Sequence, residues 1–350
     1  MRKLILCILL TAALCVTCRA AELPEAVRDN LPDGAEEAVE AGLLPDALRA
    51  LWNDTCAALE GALRRSARCA VRLSLTLLLC GAAQGLCAAG DGARYVPLCG
   101  ALAVTSLSAG ELDAFIGLGA ETVEALGVLS KALLPTAAAA LAAAGRAATA
   151  SVWQVGTLFA CDLLLSAARE LLLPLVYCFI GTATAGAVLP DSGLDRLAVA
   201  LRRGVSGVLC GGMLLFTGYL SVSGVLSGTA DKAAVRVTKA AVSHAVPVVG
   251  DILADASEVL LSGADTLRGT VGTLGLLAVL GACTVPLARL GLQYLLYRAA
   301  AFVGTLSGVR QLDTLVGRLG EAFALVLGIT GAAALILCVA LLLALTVTAL

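Results

Sequence analysis

Charge-free runs decide what this chain can become. Leu73–Gly90, Tyr95–Gly110, Ala132–Gly145, Ala147–Cys161, Leu171–Pro190, Gly204–Ala230, Gly269–Ala288 and Ala322–Leu350 contain no Asp, Glu, Lys or Arg. A membrane crossing needs about 20 apolar residues, with roughly 17 as the lower limit. Leu73–Gly90 and the last four runs meet that length by themselves. The three runs between Tyr95 and Cys161 are shorter and read as tilted pairs, re-entrant segments or spans that borrow flanking residues. The expected fold is all-α: a polytopic helical membrane protein of about six to eight spans.

Composition supports a lipid solvent. The chain is 59% hydrophobic and 14% charged, with a mean hydropathy of +0.95, where soluble domains run near half apolar and a quarter charged. The net charge of -2 comes with scattered basic residues. That leaves no electrostatic footprint for nucleic acid.

The start, "MRKLILCILLTAALCVTCRAAE", combines a basic n-region, an apolar run from Leu4 to Val16 and small residues near Ala20. It reads as a signal peptide over residues 1–20. Cys15-x-x-Cys18 lies inside it, so a redox or metal role for that pair is set aside. Residues 21–70 form a polar segment of amphipathic helices, acidic first and basic last. A first membrane region follows over 71–190. The second covers 191–350 and holds a connector at 231–268. Most of the remaining cysteines sit singly in apolar runs, where a thiol packs as a small hydrophobe. Cys56 and Cys69 lie in the polar segment, and a disulfide between them is left open.

Basic loops set the orientation. Arg196, Arg202 and Arg203 precede the span at Gly204, and Arg289, Arg298, Arg310 and Arg318 occupy what reads as the connector before the last span. Both belong on the cytoplasmic side, so residues 231–268 face outward, as does the acidic stretch Glu111–Glu124. Arg64, Arg65, Arg68 and Arg72 conflict with this scheme, because the signal peptide would place them outside. Within the spans, Gly207-x-x-x-Gly211 and Gly224-x-x-x-Gly228 are spaced for close helix packing.

The connector carries the chain's one histidine, in "SHAVPVVGDILADASEVLLSG". Asp251, Asp255 and Glu258 share one helix face, opposite Ile252, Val259, Leu260 and Ala256. Lys232, Arg236 and Lys239 share a face upstream. Two interfacial helices, one basic and one acidic, joined through a break at Pro247 and Gly250, account for the pattern. His244 with Asp251 or Asp255 as a metal or proton-relay site is the weaker reading, since a hydrolytic metal site needs three or four ligands. Asp162, Arg169 and Glu170 form an acid–base cluster read as a structural ion pair at a helix end. No catalytic, cofactor-binding or metal-ligating residue is assigned.

The block "GYLSVSGVLSGTADKAAVRVTKAAVSHAVPVVGDILADASEVLLSGADTLRGTVG", followed by "LQYLLYRAAAFVGTLSG", resembles the stage III sporulation protein AE family of endospore-forming bacteria. The likeness runs from about Ser151 to the end. Poverty in aromatics and Lys, and Ala245-Val246 before Pro247, depart from the family's pattern. The resemblance implies a non-enzymatic subunit of the channel, or feeding-tube, complex that links mother cell and forespore, in the mother-cell membrane around the forespore. It implies as partners a secretion-type ATPase, ring-forming proteins and a forespore membrane protein, and a need for the complex in late forespore gene expression. It brings no cofactor and no catalytic residues. Asp251, Asp255 and Glu258 would then offer an acidic face to partner subunits. The competing reading is a stand-alone secondary transporter of a small solute, for which the break near Pro247 lacks a repeat partner in the other half.

Overall fold

A computed structural model describes residues 44–87, 92–143, 147–189, 193–222 and 270–348, and every regular element among them is a helix. They are α1 (Leu44–Leu86), α2 (Gly92–Ala143), α3 (Ala147–Ala167), a π turn (Ala168–Leu172) running straight into α4 (Leu173–Val188), α5 (Leu194–Val222), α6 (Thr270–Thr305) and α7 (Arg310–Thr348). Five stretches are long and apolar enough to cross a membrane: Arg49–Leu86, Val155–Val188, Leu194–Tyr219, Leu274–Thr305 and Arg310–Leu342. Each overlaps one of the five runs that qualify on sequence.

The most apolar helix stands at the centre. The other helices cover α7, with 94% of its most apolar stretch buried, against 11% for α5. Phe323 of α7 meets Phe115 of α2 edge to face, with ring centroids 5.5 Å apart, and Tyr297 of α6 at 4.7 Å. Leu73 and Leu77 of α1, Leu126 and Leu129 of α2, and Val176 and Phe179 of α4 belong to the same core. Lipid tails are as apolar as Leu, so dispersion and close fit, not expulsion of water, hold such helices together.

Two glycines turn the chain. Gly193 (φ 75°) precedes α5, and Gly308 (φ 74°) separates α6 from α7. Both occupy the left-handed region that a Cβ disfavours. The α6–α7 turn spans only residues 306–309, so Arg289 and Arg298 lie inside α6, and Arg310 and Arg318 inside α7. The broad basic connector expected there is two helices meeting at a tight corner, because helical periodicity continues through the arginines.

Three further expectations change. The boundary drawn at residue 70 falls within α1, one unbroken helix. Cys56 and Cys69 stand thirteen residues apart on that helix, roughly 20 Å at 1.5 Å per residue. A disulfide requires Cα atoms within about 7 Å, so this pair forms none. The stretch Glu111–Glu124 is the interior of α2, not a loop. Among the single cysteines, Cys161, Cys283 and Cys338 are buried as expected, whereas Cys99 and Cys178 are exposed.

α2 extends roughly 78 Å at 1.5 Å per residue, and it runs parallel to α7. Gly100 lies against Leu312, Gly119 against Val326 and Thr330, and Leu133 comes level with Leu341 beside Gly275. The π turn has a local cause in Pro174. Proline has no N–H to donate and crowds the carbonyl four residues earlier, and the wider turn relieves that crowding. It sets Arg169 and Glu170 side by side on the outer surface.

Candidate functional site

Polar side chains converge where α1, α2 and α6 meet. α6 contains no acid, yet the Gln293 amide Nε2 donates to the Glu111 carboxylate of α2. Cys69 of α1 approaches Glu111 and Tyr297, and Ser108 of α2 approaches the Tyr297 hydroxyl. Gln293, Tyr297 and Ser108 are fully buried. The Ser108 and Tyr297 hydroxyls and Gln293 Oε1 lack a well-formed hydrogen bond. Buried polar atoms are ordinarily paired, so three convergent exceptions mark this junction. Ser108 and Glu111 are three apart, and Gln293 and Tyr297 four apart, so each pair shares a helix face.

A second polar seam joins α2 to the α3–α4 helix. Lys131 pairs with Asp162 at 3.2 Å and Arg169 with Glu124 at 3.4 Å. Tyr177 donates its hydroxyl to Asp113 at 2.9 Å. The expected pairing of Arg169 with Asp162 or Glu170 is thus replaced, because α2 brings a carboxylate to it from outside the local sequence. The cluster also sits mid-helix, at the π turn, not at a helix end.

A third set ties α5 to α7. Arg318 donates to Asp195 at 2.5 Å and Arg202 to Glu321 at 2.8 Å. These pairs cap the charged ends of two otherwise apolar helices. All three sets hold helices together; among the described residues no group of three or more His, Cys, Asp or Glu could hold a metal ion.

Gly207 and Gly211 lie on α5, where an added Cβ would meet nothing within 4 Å. Among the described residues no other helix comes close to them. Tight contacts occur elsewhere: at Gly212 against Leu164, Gly119 against Val326, and Gly81 against the backbone of Ser307. Gly224, Gly228, His244, Pro247, Gly250, Asp251, Asp255 and Glu258 lie outside the described residues, as do the signal peptide and the connector at 231–268.

The sequence model of a family described as stage III sporulation protein AE matches residues 94–349. The chain belongs to the stage III sporulation protein AE family. The match takes in α2 through α7 and so begins well before Ser151, the start of the likeness that the sequence itself carries. Stage III sporulation protein AE of Bacillus subtilis (strain 168) is 25% identical over 194 residues, covering 55% of this chain and 49% of that relative. The chain thus spans about half the length of the curated relative it matches. No solved structure matches. Family membership and five apolar helices make this member of the stage III sporulation protein AE family a sporulation-related membrane protein.

Proposed function

We propose that the chain is a non-enzymatic, multi-span subunit of the complex linking mother cell and forespore, seated in the mother-cell membrane that surrounds the forespore. The family match over α2–α7 carries this reading. Its partners are the other stage III subunits, with the secretion-type ATPase on the cytoplasmic side and ring-forming proteins and a forespore membrane protein on the other. The signal peptide directs export of the N-terminal segment, and the connector at 231–268 faces the intermembrane space. There Asp251, Asp255 and Glu258 meet partner subunits, with Pro247 and Gly250 setting the break between its two halves.

Deletion in the source organism tests this directly. Loss of a late forespore-specific fluorescent reporter after engulfment, with vegetative growth unchanged and rescue by the intact gene, is the expected result. A normal reporter and normal spores would overturn the assignment. Full rescue by a D251K/D255K chain would remove the acidic face from the partner contacts.

The open face of α5 supports a subunit that packs against others. Small residues let backbones approach closely in lipid, and Gly207 and Gly211 meet nothing within 4 Å among the described residues. Gly207→Leu is expected to leave the level and thermal unfolding of the solubilised chain unchanged while reducing the size of the assembly it enters. An unfolding shift without a change in assembly size would reverse that expectation.

A further inference from the structure

Opposite sides of this bundle differ at a single depth. Gly212 of α5 touches Leu164 of α3. Val208, Leu209 and Met213 share a small apolar cavity with Leu164, Ala167, Ile329 and Ile336. On the far side, Gly127 of α2 sits beside Leu165, and Gly119 beside Val326. The middles of α2, α3, α5 and α7 are therefore level, and α7 carries no charge from Ala322 onward.

At this level α5 presents apolar surface. Leu214 is 68% exposed and Leu215 78%, and no residue of α5 from Gly204 to Tyr219 is charged. α2 presents the reverse. From Glu111 to Thr136 its exposed residues are Asp113, Ala114, Glu121, Glu124, Val128 and Lys131. Four of those six are charged. Asp162, Arg169 and Glu170 of the adjoining helix widen the strip. The two ion pairs within it are open: side-chain exposures are 69% and 61% for Lys131–Asp162, and 55% and 56% for Arg169–Glu124. Glu121 and Glu170 are exposed and have no ion-pair partner among the described residues.

A charge at membrane depth is expensive in contact with lipid, and such residues face the bundle interior, pair, or meet water. The interior and pairing leave Glu121 and Glu170 unaccounted for. We infer that the outer strip of α2, with Asp162, Arg169 and Glu170, faces water at membrane depth and forms one wall of an aqueous passage. Five carboxylates stand against two cations there, so the wall attracts cations and repels anions, as rings of Asp and Glu do in cation pores. Exposed Phe159 and Leu163 of α3 border the strip and supply the apolar edge that meets lipid or a neighbouring helix. This inference stands on depth and charge, and goes beyond the reading of the chain as a sporulation subunit.

Thiol labelling tests it. Val128 lies in the strip and is 52% exposed, whereas Leu215 lies at comparable depth on α5. V128C and L215C are made separately in a full-length chain whose exposed Cys56, Cys99 and Cys178 are replaced by Ser. Each is produced at native level in the source cells, and intact membranes are treated with membrane-impermeant methanethiosulfonates. The thiolate is the reacting species and forms in water, not in lipid. The V128C thiol is expected to react at least about tenfold faster than the L215C thiol, and faster with a trimethylammonium reagent than with a sulfonate. Equal, slow labelling at both positions overturns the passage, since the strip is then covered by protein or lipid. Faster reaction with the sulfonate overturns its acidic character. Both outcomes are read in the membrane and are independent of any spore phenotype.

Discussion

Phe323→Ala is expected to cost the bundle about 3–5 kcal/mol, the range for deleting a buried aromatic ring. Phe323 is 1% exposed and stands between Phe115 and Tyr297, so its ring joins three helices. Removing it leaves a void where α2, α6 and α7 meet, and it exposes the Tyr297 hydroxyl region to rearrangement. The measurement is the midpoint of thermal unfolding of the detergent-solubilised chain, with Leu215→Ala as the control. Leu215 faces outward on α5, and its truncation should leave the midpoint where it was. Equal midpoints for both variants would mean that α7 is not the centre of the molecule.

Gly81→Leu should be nearly as damaging, for the opposite reason. A Cβ at Gly81 would collide with the Ser307 carbonyl oxygen and come within 2.8 Å of its Cα. Those are backbone atoms in the short corner between α6 and α7, where Ser307 N–H already donates to the Gly304 carbonyl at 2.9 Å. Rigid backbone cannot step aside as a flexible side chain can, and overpacking typically costs about 1–3 kcal/mol. The expected outcome is a lowered unfolding midpoint with new proteolytic cleavage at residues 306–309. Gly85, four residues on, meets nothing within 4 Å among the described residues, so Gly85→Leu should leave both readouts unchanged. Similar behaviour of the two variants would remove α1 from its place against that corner.

The apolar spans were legible because length and hydropathy are local properties, readable one helix at a time. Arg169 shows what was not. Its nearest acids in sequence are Glu170 and Asp162, yet it pairs with Glu124, brought alongside by α2. The Gly207–Gly211 spacing identifies residues able to approach closely, but spacing does not name a partner, and the close contacts among the described residues fall on other glycines such as Gly119 and Gly81. α2 was obscured because its apolar start and the acidic stretch after it resemble a short span followed by a loop. Carried through as one helix, Asp113, Glu121, Glu124 and Lys131 fall on one side of it, along with Ala114 and Val128. That alignment appears only once helix continuity is assumed. The junction around Glu111 left a fainter trace, in Gln293 and Tyr297 four residues apart within an apolar stretch.

The placement of α7 bears on how the molecule is made. A ribosome delivers helices to the membrane in chain order, and among the described residues the other helices precede α7. Among the described helices, the one that α2, α4 and α6 lean on therefore arrives after them. Until it does, Phe115, Leu126 and Val176 have no common surface to close upon, and the earlier helices must wait as a loose collar around an unfilled axis. Packing of the described helices thus has a closing step, when Arg310–Thr348 takes a place that its predecessors have only outlined.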